Sequence, residues 1–314
     1  MKNHTYLLIL LLILLFSGCA NKSEPQESHN IETSEPEKPE TAEQDNRANS
    51  DDMNNTDRDS DTINVPNPTT KEIDLSDQFR GINGCAVIYD SDNNEYSMYN
   101  ASLCEQEVSP YSTFKIVSAL AGLNNGVIEN EYSTMNYSGE KYPLDEWNEN
   151  VSLDKAFRTS CIWYFRQIID EVGQDEIQYE LTQLEYGNCD ISEWDGSDVN
   201  PMPDLNGFWL GSSLKISPLE QVQVLAKIFE GQSLYSAADV ALLKEIMLVS
   251  EDTKRIYGKT GSGPDGEAWF VGFTEDNGAR IYFAVYLNDN TQTDKVSGSV
   301  AKEIAKEILE PDYL

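Results

Sequence analysis

The feature that most limits what this chain can fold into is a break in composition near residue 72. Residues 21–71 are Glu, Asp, Asn, Ser, Thr and Pro with almost no apolar residue, so they cannot bury enough surface to offset the entropy of ordering. This tract reads as a disordered acidic tether, and about 50 such residues reach roughly 40 Å root-mean-square. Residues 72–314 show no second break and are numerous enough for one globular domain with its own core.

Ahead of the tether, Lys2 precedes an apolar run from Tyr6 to Phe16, and Ser17 and Gly18 stand directly before Cys19. The run is shorter than the ~20 residues a spanning helix needs, so it reads as a cleaved export signal. Small residues before a cysteine resemble a bacterial lipoprotein signal, with Cys19 as the acylated residue; plain secretion with a free thiol is the alternative. Two or more acyl chains anchor a protein stably, at about 0.8 kcal/mol per buried methylene. The expected organisation is therefore a signal over 1–18, a tether over 19–73 lipidated at Cys19, and a folded domain over 74–314, held at the outer face of the cell membrane. A net charge of −33 argues against nucleic acid or anionic lipid as a partner, since no Lys/Arg cluster is present to neutralise phosphates.

The residue inventory narrows the chemistry. The two histidines, His4 and His29, lie in the signal and the tether, so the domain has no imidazole and no Ser-His-Asp triad. Histidine-based zinc chemistry goes with it, and Cys85, Cys104, Cys161 and Cys189 show no C-x-x-C spacing, so no metal is expected. The run Gly261-Ser262-Gly263-Pro264-Asp265-Gly266 formally matches a dinucleotide fingerprint, but Pro264 and the following Trp269-Phe270-Val271 make it a turn into a strand. Asp90 to Asn94 starts like a calcium loop, yet Glu95 occupies the required glycine position, which leaves a hairpin turn.

Residues 85–89 and 95–99 flank that turn as short strands. Cys104 follows the second, and its pairing with Cys85 stays open. Residues 112–124 carry Phe114, Ile116, Val117, Leu120 and Leu123 before Gly126 and predict a heavily buried helix. Residues 153–172 and 218–229 predict further helices, and 190–211 a long loop of the kind that is usually functional. Residues 255–259, 268–274 and 279–287 predict strands, the last two joined at Asn277-Gly278. Val300, Ile304 and Ile308 mark one face of a closing helix. Strands at both chain ends around a run of helices predict an α+β fold: an antiparallel sheet with helices on both faces plus a mainly helical subdomain.

Ser112 and Lys115 sit three residues apart in the first turn of the buried helix, on one face. Alone the pair is common on helices. Its setting among Phe114, Ile116 and Val117 desolvates the amine and lowers its pKa from about 10.4, which makes a neutral base available.

With these residues in view, the chain resembles the class D β-lactamases. Ser112-Thr113-Phe114-Lys115, Ser160-Cys161-Ile162, Tyr186-Gly187-Asn188, Phe208-Trp209-Leu210, Lys259-Thr260-Gly261 and Trp269-Phe270-Val271-Gly272-Phe273 follow in that family's order and approximate spacing. The second run departs from the S-D-N of related serine enzymes. The resemblance implies a β-lactam substrate, Ser112 as nucleophile and Lys115, carboxylated by carbon dioxide, as the base for acylation and deacylation. It implies no cofactor beyond that carbon dioxide or bicarbonate. It further assigns proton relay to Ser160, a hydrogen bond from the Trp209 indole to the lysine carbamate, and an apolar wall to Ile162. Lys259 and Thr260 would bind the substrate carboxylate, Gly261 would admit the ligand close to the strand, and the N–H groups of Ser112 and Ser262 would form the oxyanion hole. Tyr186-Gly187-Asn188 would shape the wall. Where the family often has an Arg after the last strand this chain has none, which leaves Lys295, Lys302 or Ser299 for that place. A β-lactam sensor that acylates without turnover, or a D,D-peptidase, would use the same residues.

Overall fold

The computed structural model describes residues 67–251 and 254–310. The signal, Cys19 and nearly all of the tether lie outside the described residues. Strand β1 (Thr69–Glu72) and the one-turn α1 (Ser76–Phe79) precede the hairpin of β2 (Gly84–Asp90) and β3 (Glu95–Tyr99). β1 pairs in parallel with β3, Thr69 opposite Glu95 and Glu72 opposite Met98. Its four side chains are all exposed, so no apolar alternation marks it, and among the described residues this strand lies ahead of the expected domain start at 74. The β2–β3 turn is the expected one: the Asp90 carboxylate accepts from the N–H groups of Asp92 and Asn93 at 3.0 and 3.1 Å.

After α2 (Ala101–Cys104) a 3-10 turn at Tyr111–Phe114 leads into α3 (Lys115–Asn124). Then come α4 (Leu153–Arg158), α5 (Ile162–Val172), α6 (Gln174–Leu184), α7 (Pro218–Phe229) and α8 (Ala237–Met247). The helix predicted over 153–172 is thus two helices. Ser160 takes a left-handed φ of 55°, and the Cys161 N–H turns back to the Ala156 carbonyl at 2.8 Å. The apolar spacing runs on through Phe157, Cys161 and Phe165, which hides the break from periodicity. α7 starts where expected, with Pro218 at its first turn and a capping box between Ser217 and Glu220.

The chain closes with β4 (Leu248–Ser250), β5 (Arg255–Ser262), β6 (Glu267–Asp276), β7 (Ala279–Asn288) and α9 (Gly298–Ile308). The sheet order is β1-β3-β2-β7-β6-β5-β4, antiparallel except for β1. One core lies between the sheet and the helical subdomain around Phe114, Trp163, Trp209 and Trp269. A smaller one joins the opposite sheet face to α1 and α9 through Phe79, Phe270 and Ile304. This is the α+β arrangement read from the sequence. Cys85 and Cys104 are buried free thiols, the Cys104 Sγ donating towards the carbonyls of Tyr99 and Ala86 at 3.3 and 3.4 Å.

Candidate active site

The site begins with a strained residue. Tyr111 holds φ +49°, a left-handed conformation costing on the order of 1–3 kcal/mol for a bulky residue. Its N–H donates to the Trp209 carbonyl at 3.0 Å. Half-buried Ser112 follows on the 3-10 turn, and Lys115 opens α3 with its Nζ 2.9 Å from the Ser112 Oγ. The Lys115 side chain has no exposed surface, and burial lowers its pKa to about 7. Its Nζ lies 5.6 Å from the centroid of the Phe165 ring. A second amine stands across the site. Lys259 on β5 donates to the Ser160 Oγ at 2.5 Å and to the Thr260 carbonyl at 2.9 Å, with Phe157 packed 5.5 Å from its Nζ. Burial, followed by the neighbouring Lys115 charge, pulls its pKa well below the ordinary lysine value.

The break between α4 and α5 therefore has a consequence. It turns the Ser160 hydroxyl out of the helical path and onto Lys259, 99 positions away. Ser112–Lys115 and Ser160–Lys259 form two hydroxyl–amine pairs in a region without imidazole. Such a set can activate a hydroxyl by direct proton transfer to a neutral amine and carry a proton to a leaving group through the second pair.

Other sequence-selected residues fall around these four. Trp209 is fully buried beside Phe114, ring centroids 5.6 Å apart, and its indole N–H has no hydrogen-bond acceptor among the described residues. A buried donor left this way costs about 1–3 kcal/mol unless something fills it. Ile162 opens α5 half-buried against the core; Phe165, one turn further on the same helix, is the ring found beside Lys115. Sequence reasoning missed Phe165 and Phe157, although Phe165 lies three residues from Ile162, at the spacing that puts two side chains on one helix face. A Cβ on Gly261 would stand 3.3 Å from the Pro110 carbonyl and from Thr113. That glycine lets β5 pack closely against the nucleophile's own turn. Exposed Ser262 ends β5 and accepts from the Gly298 N–H at the start of α9 at 3.2 Å. Of the cations considered for the absent Arg, Lys295 donates to the Gln292 side chain, whereas Lys302 lines a cavity of about 310 Å³ together with Lys259, Thr260 and Arg158. Among the described residues, no group of three or more His, Cys, Asp or Glu could hold a metal ion.

A model of the penicillin binding protein transpeptidase domain matches residues 84–310. The chain belongs to that family. Within it, the chain is 33% identical over 232 residues to the regulatory protein BlaR1 of Bacillus licheniformis, a match covering 72% of this chain and 36% of BlaR1. The chain thus spans little more than a third of that regulator's length. It is 32% identical over 241 residues to the probable β-lactamase YbxI of Bacillus subtilis, covering 76% of this chain and 84% of YbxI. The crystal structure of a class D β-lactamase from Bacillus subtilis superposes with a TM-score of 0.67 at 32% identity, over 76% of this chain and 94% of the other. Relatives of this chain thus include both a regulatory protein and a probable β-lactamase.

Proposed function

We propose that this chain is a class D serine β-lactamase that hydrolyses β-lactams through an acyl-enzyme on Ser112. The observation that carries the reading is the buried Lys115 amine, 2.9 Å from the Ser112 hydroxyl and lowered to a pKa of about 7. A neutral amine there takes the Ser112 proton as Oγ attacks the lactam carbonyl. The developing oxyanion faces the N–H groups of Ser112 and Ser262. When the ring C–N bond breaks, the nitrogen takes a proton from the Ser160 hydroxyl, which Lys259 holds and resupplies. Lys259 and Thr260 on β5 supply the polar groups for the substrate carboxylate.

Deacylation needs a base for water, and carbon dioxide added to neutral Lys115 supplies a carbamate for that purpose. This chain's residues fit it: with a pKa of about 7 the amine is about half deprotonated at neutral pH, and the buried indole N–H of Trp209, whose ring packs against that of Phe114, has no acceptor among the described residues. We place the protein outside the cytoplasm, anchored through acylated Cys19, on the signal-like pattern around that residue.

The similarity to BlaR1, no lower than that to YbxI, supports a second reading, a receptor that acylates and holds the adduct. Mass spectrometry after adding a penicillin separates the two. A hydrolase shows a Ser112 adduct that disappears within minutes, turnover of a chromogenic cephalosporin that rises with bicarbonate, and no activity in Ser112→Ala. A stoichiometric adduct that persists overturns hydrolysis in favour of sensing, and D-alanine release from a D-alanyl peptide would favour a D,D-peptidase.

A further inference from the structure

Glu267 lies outside every motif that defines the site, at the start of β6 just past the turn that follows Ser262. Its half-buried carboxylate accepts two hydrogen bonds, from the Tyr111 hydroxyl at 2.5 Å on Oε2 and from the Tyr286 hydroxyl at 2.8 Å on Oε1. Its carbonyl accepts the Gly263 N–H at 2.9 Å. Glu267 is therefore tied through its side chain to the residue before Ser112 and through its backbone to the residue after Ser262.

Tyr111 needs such an anchor. Left-handed backbone at a bulky residue persists where its surroundings over-determine it, and three contacts do so here. The N–H is held by the Trp209 carbonyl and the hydroxyl by Glu267. The ring packs closely against Gly263, where an added Cβ would stand 2.3 Å from Tyr111 Cζ. Tyr286, fully buried with its ring centroid 4.4 Å from that of Trp269 in a tilted pair, fixes the carboxylate from the sheet side. Trp269 in turn donates to the Ser109 carbonyl at 3.0 Å, which ties the sheet to the chain entering the Tyr111 turn.

We infer that Glu267 is a positioning residue for acylation: by clamping Tyr111 to the β5–β6 turn it sets the separation and aim of the Ser112 and Ser262 N–H groups. The inference rests on the reading that Ser112 is acylated by β-lactams. Preorganised donors stabilise a developing oxyanion only when they already sit at the right separation, and small misplacements there cost rate more than binding. The clamp should therefore act on the chemical step and leave the initial encounter complex nearly unchanged.

Stopped-flow acylation by a fluorescent penicillin separates the dissociation constant of the encounter complex from the acylation rate constant, and serves for hydrolase and receptor alike. Glu267→Ala and Tyr111→Phe should each slow acylation about tenfold or more with little change in that dissociation constant. Combined, they should lose no more than the worse single variant, because both break one clamp. Glu267→Gln, which can accept from one tyrosine and donate to the other, should recover most of the rate. Tyr111→Phe keeps the ring and the fold, so it decides the matter even if Glu267→Ala is unstable. An unchanged acylation rate in Tyr111→Phe, or losses confined to the encounter complex, would overturn the clamp. A wild-type protein that never acylates would instead overturn the parent reading.

Discussion

At the scale of single residues, Lys115 is desolvated at a cost to the fold. Unfolded, its amine titrates near 10.4; folded, burial lowers it to about 7. Between those values the unfolded chain binds a proton that the folded chain does not, so this group makes stability rise with pH from about 7 to 10. Below 7 both states are protonated and the penalty is complete. A shift of this size corresponds to roughly 3–5 kcal/mol at neutral pH. Lys115→Met, of similar length and without the charge, should therefore raise Tm at pH 7 in bicarbonate-free buffer, with the gain shrinking as pH approaches 10, while acylation is lost. A Met variant no more stable than wild type at any pH would mean the amine is not desolvated. The same titration predicts an acid limb in the wild-type acylation rate, half-maximal near pH 7 and falling as the amine protonates.

At the scale of elements, the helices that back the site are joined by one buried carboxylate. Glu180 on α6 has no exposed surface. Its Oε1 accepts from Asn124 and Asn125 at the end of α3, at 2.9 and 2.8 Å, and its Oε2 from the Tyr235 hydroxyl ahead of α8 at 2.9 Å. Burial raises its pKa in spite of those donors, so this group favours the fold at low pH and loses that contribution as pH rises through its folded value. Glu180→Gln keeps a neutral acceptor and should be tolerated at pH 7, whereas Glu180→Ala strands the buried Tyr235 hydroxyl, Asn124 and Asn125 being exposed to water, and should cost about 1–3 kcal/mol by urea unfolding. Equal stability of the two variants would show that the bonds carry nothing. This junction was not legible in the sequence, because α6 buries Ile177, Leu181 and Leu184 among charged residues and Glu180 looks like surface. β2, β3, β5, β6, β7, α7 and α9 were legible because their periodicities or caps are local, whereas β1 and β4, short and without a buried face, were not. Lys115 beside Ser112 was legible too, since three residues of helix suffice. Ser160 on Lys259 was not derivable from spacing: it depends on a left-handed break between α4 and α5 and on a partner 99 positions along the chain, so only the order of motifs pointed to it. Glu267 had no motif at all.

At the scale of the whole molecule, the site residues all lie on one side of the sheet or at its β5 end, while α1 and α9 close the other side. Leu75 and Phe79 are 4% and 1% exposed in that second core, and Phe79 packs on Tyr99 with ring centroids 4.7 Å apart. β1 contributes backbone pairing but buries no side chain. These two upstream elements should therefore differ in what they contribute. A chain starting at residue 67 should keep the full acylation rate, because every site residue named above lies well beyond it, and a start at 74 should lose little more than the β1 pairing. A start at 82 removes Leu75 and Phe79, each worth roughly 1.5–3 kcal/mol of burial, and should lower Tm by roughly 10 °C while acylation by a fluorescent penicillin at low temperature stays intact. Comparing Tm and acylation across the three starts locates where the folded domain begins. If the chain from residue 67 already melts well below the full-length protein, the first 66 residues take part in the fold, and the break in composition near residue 72 is not where the domain begins.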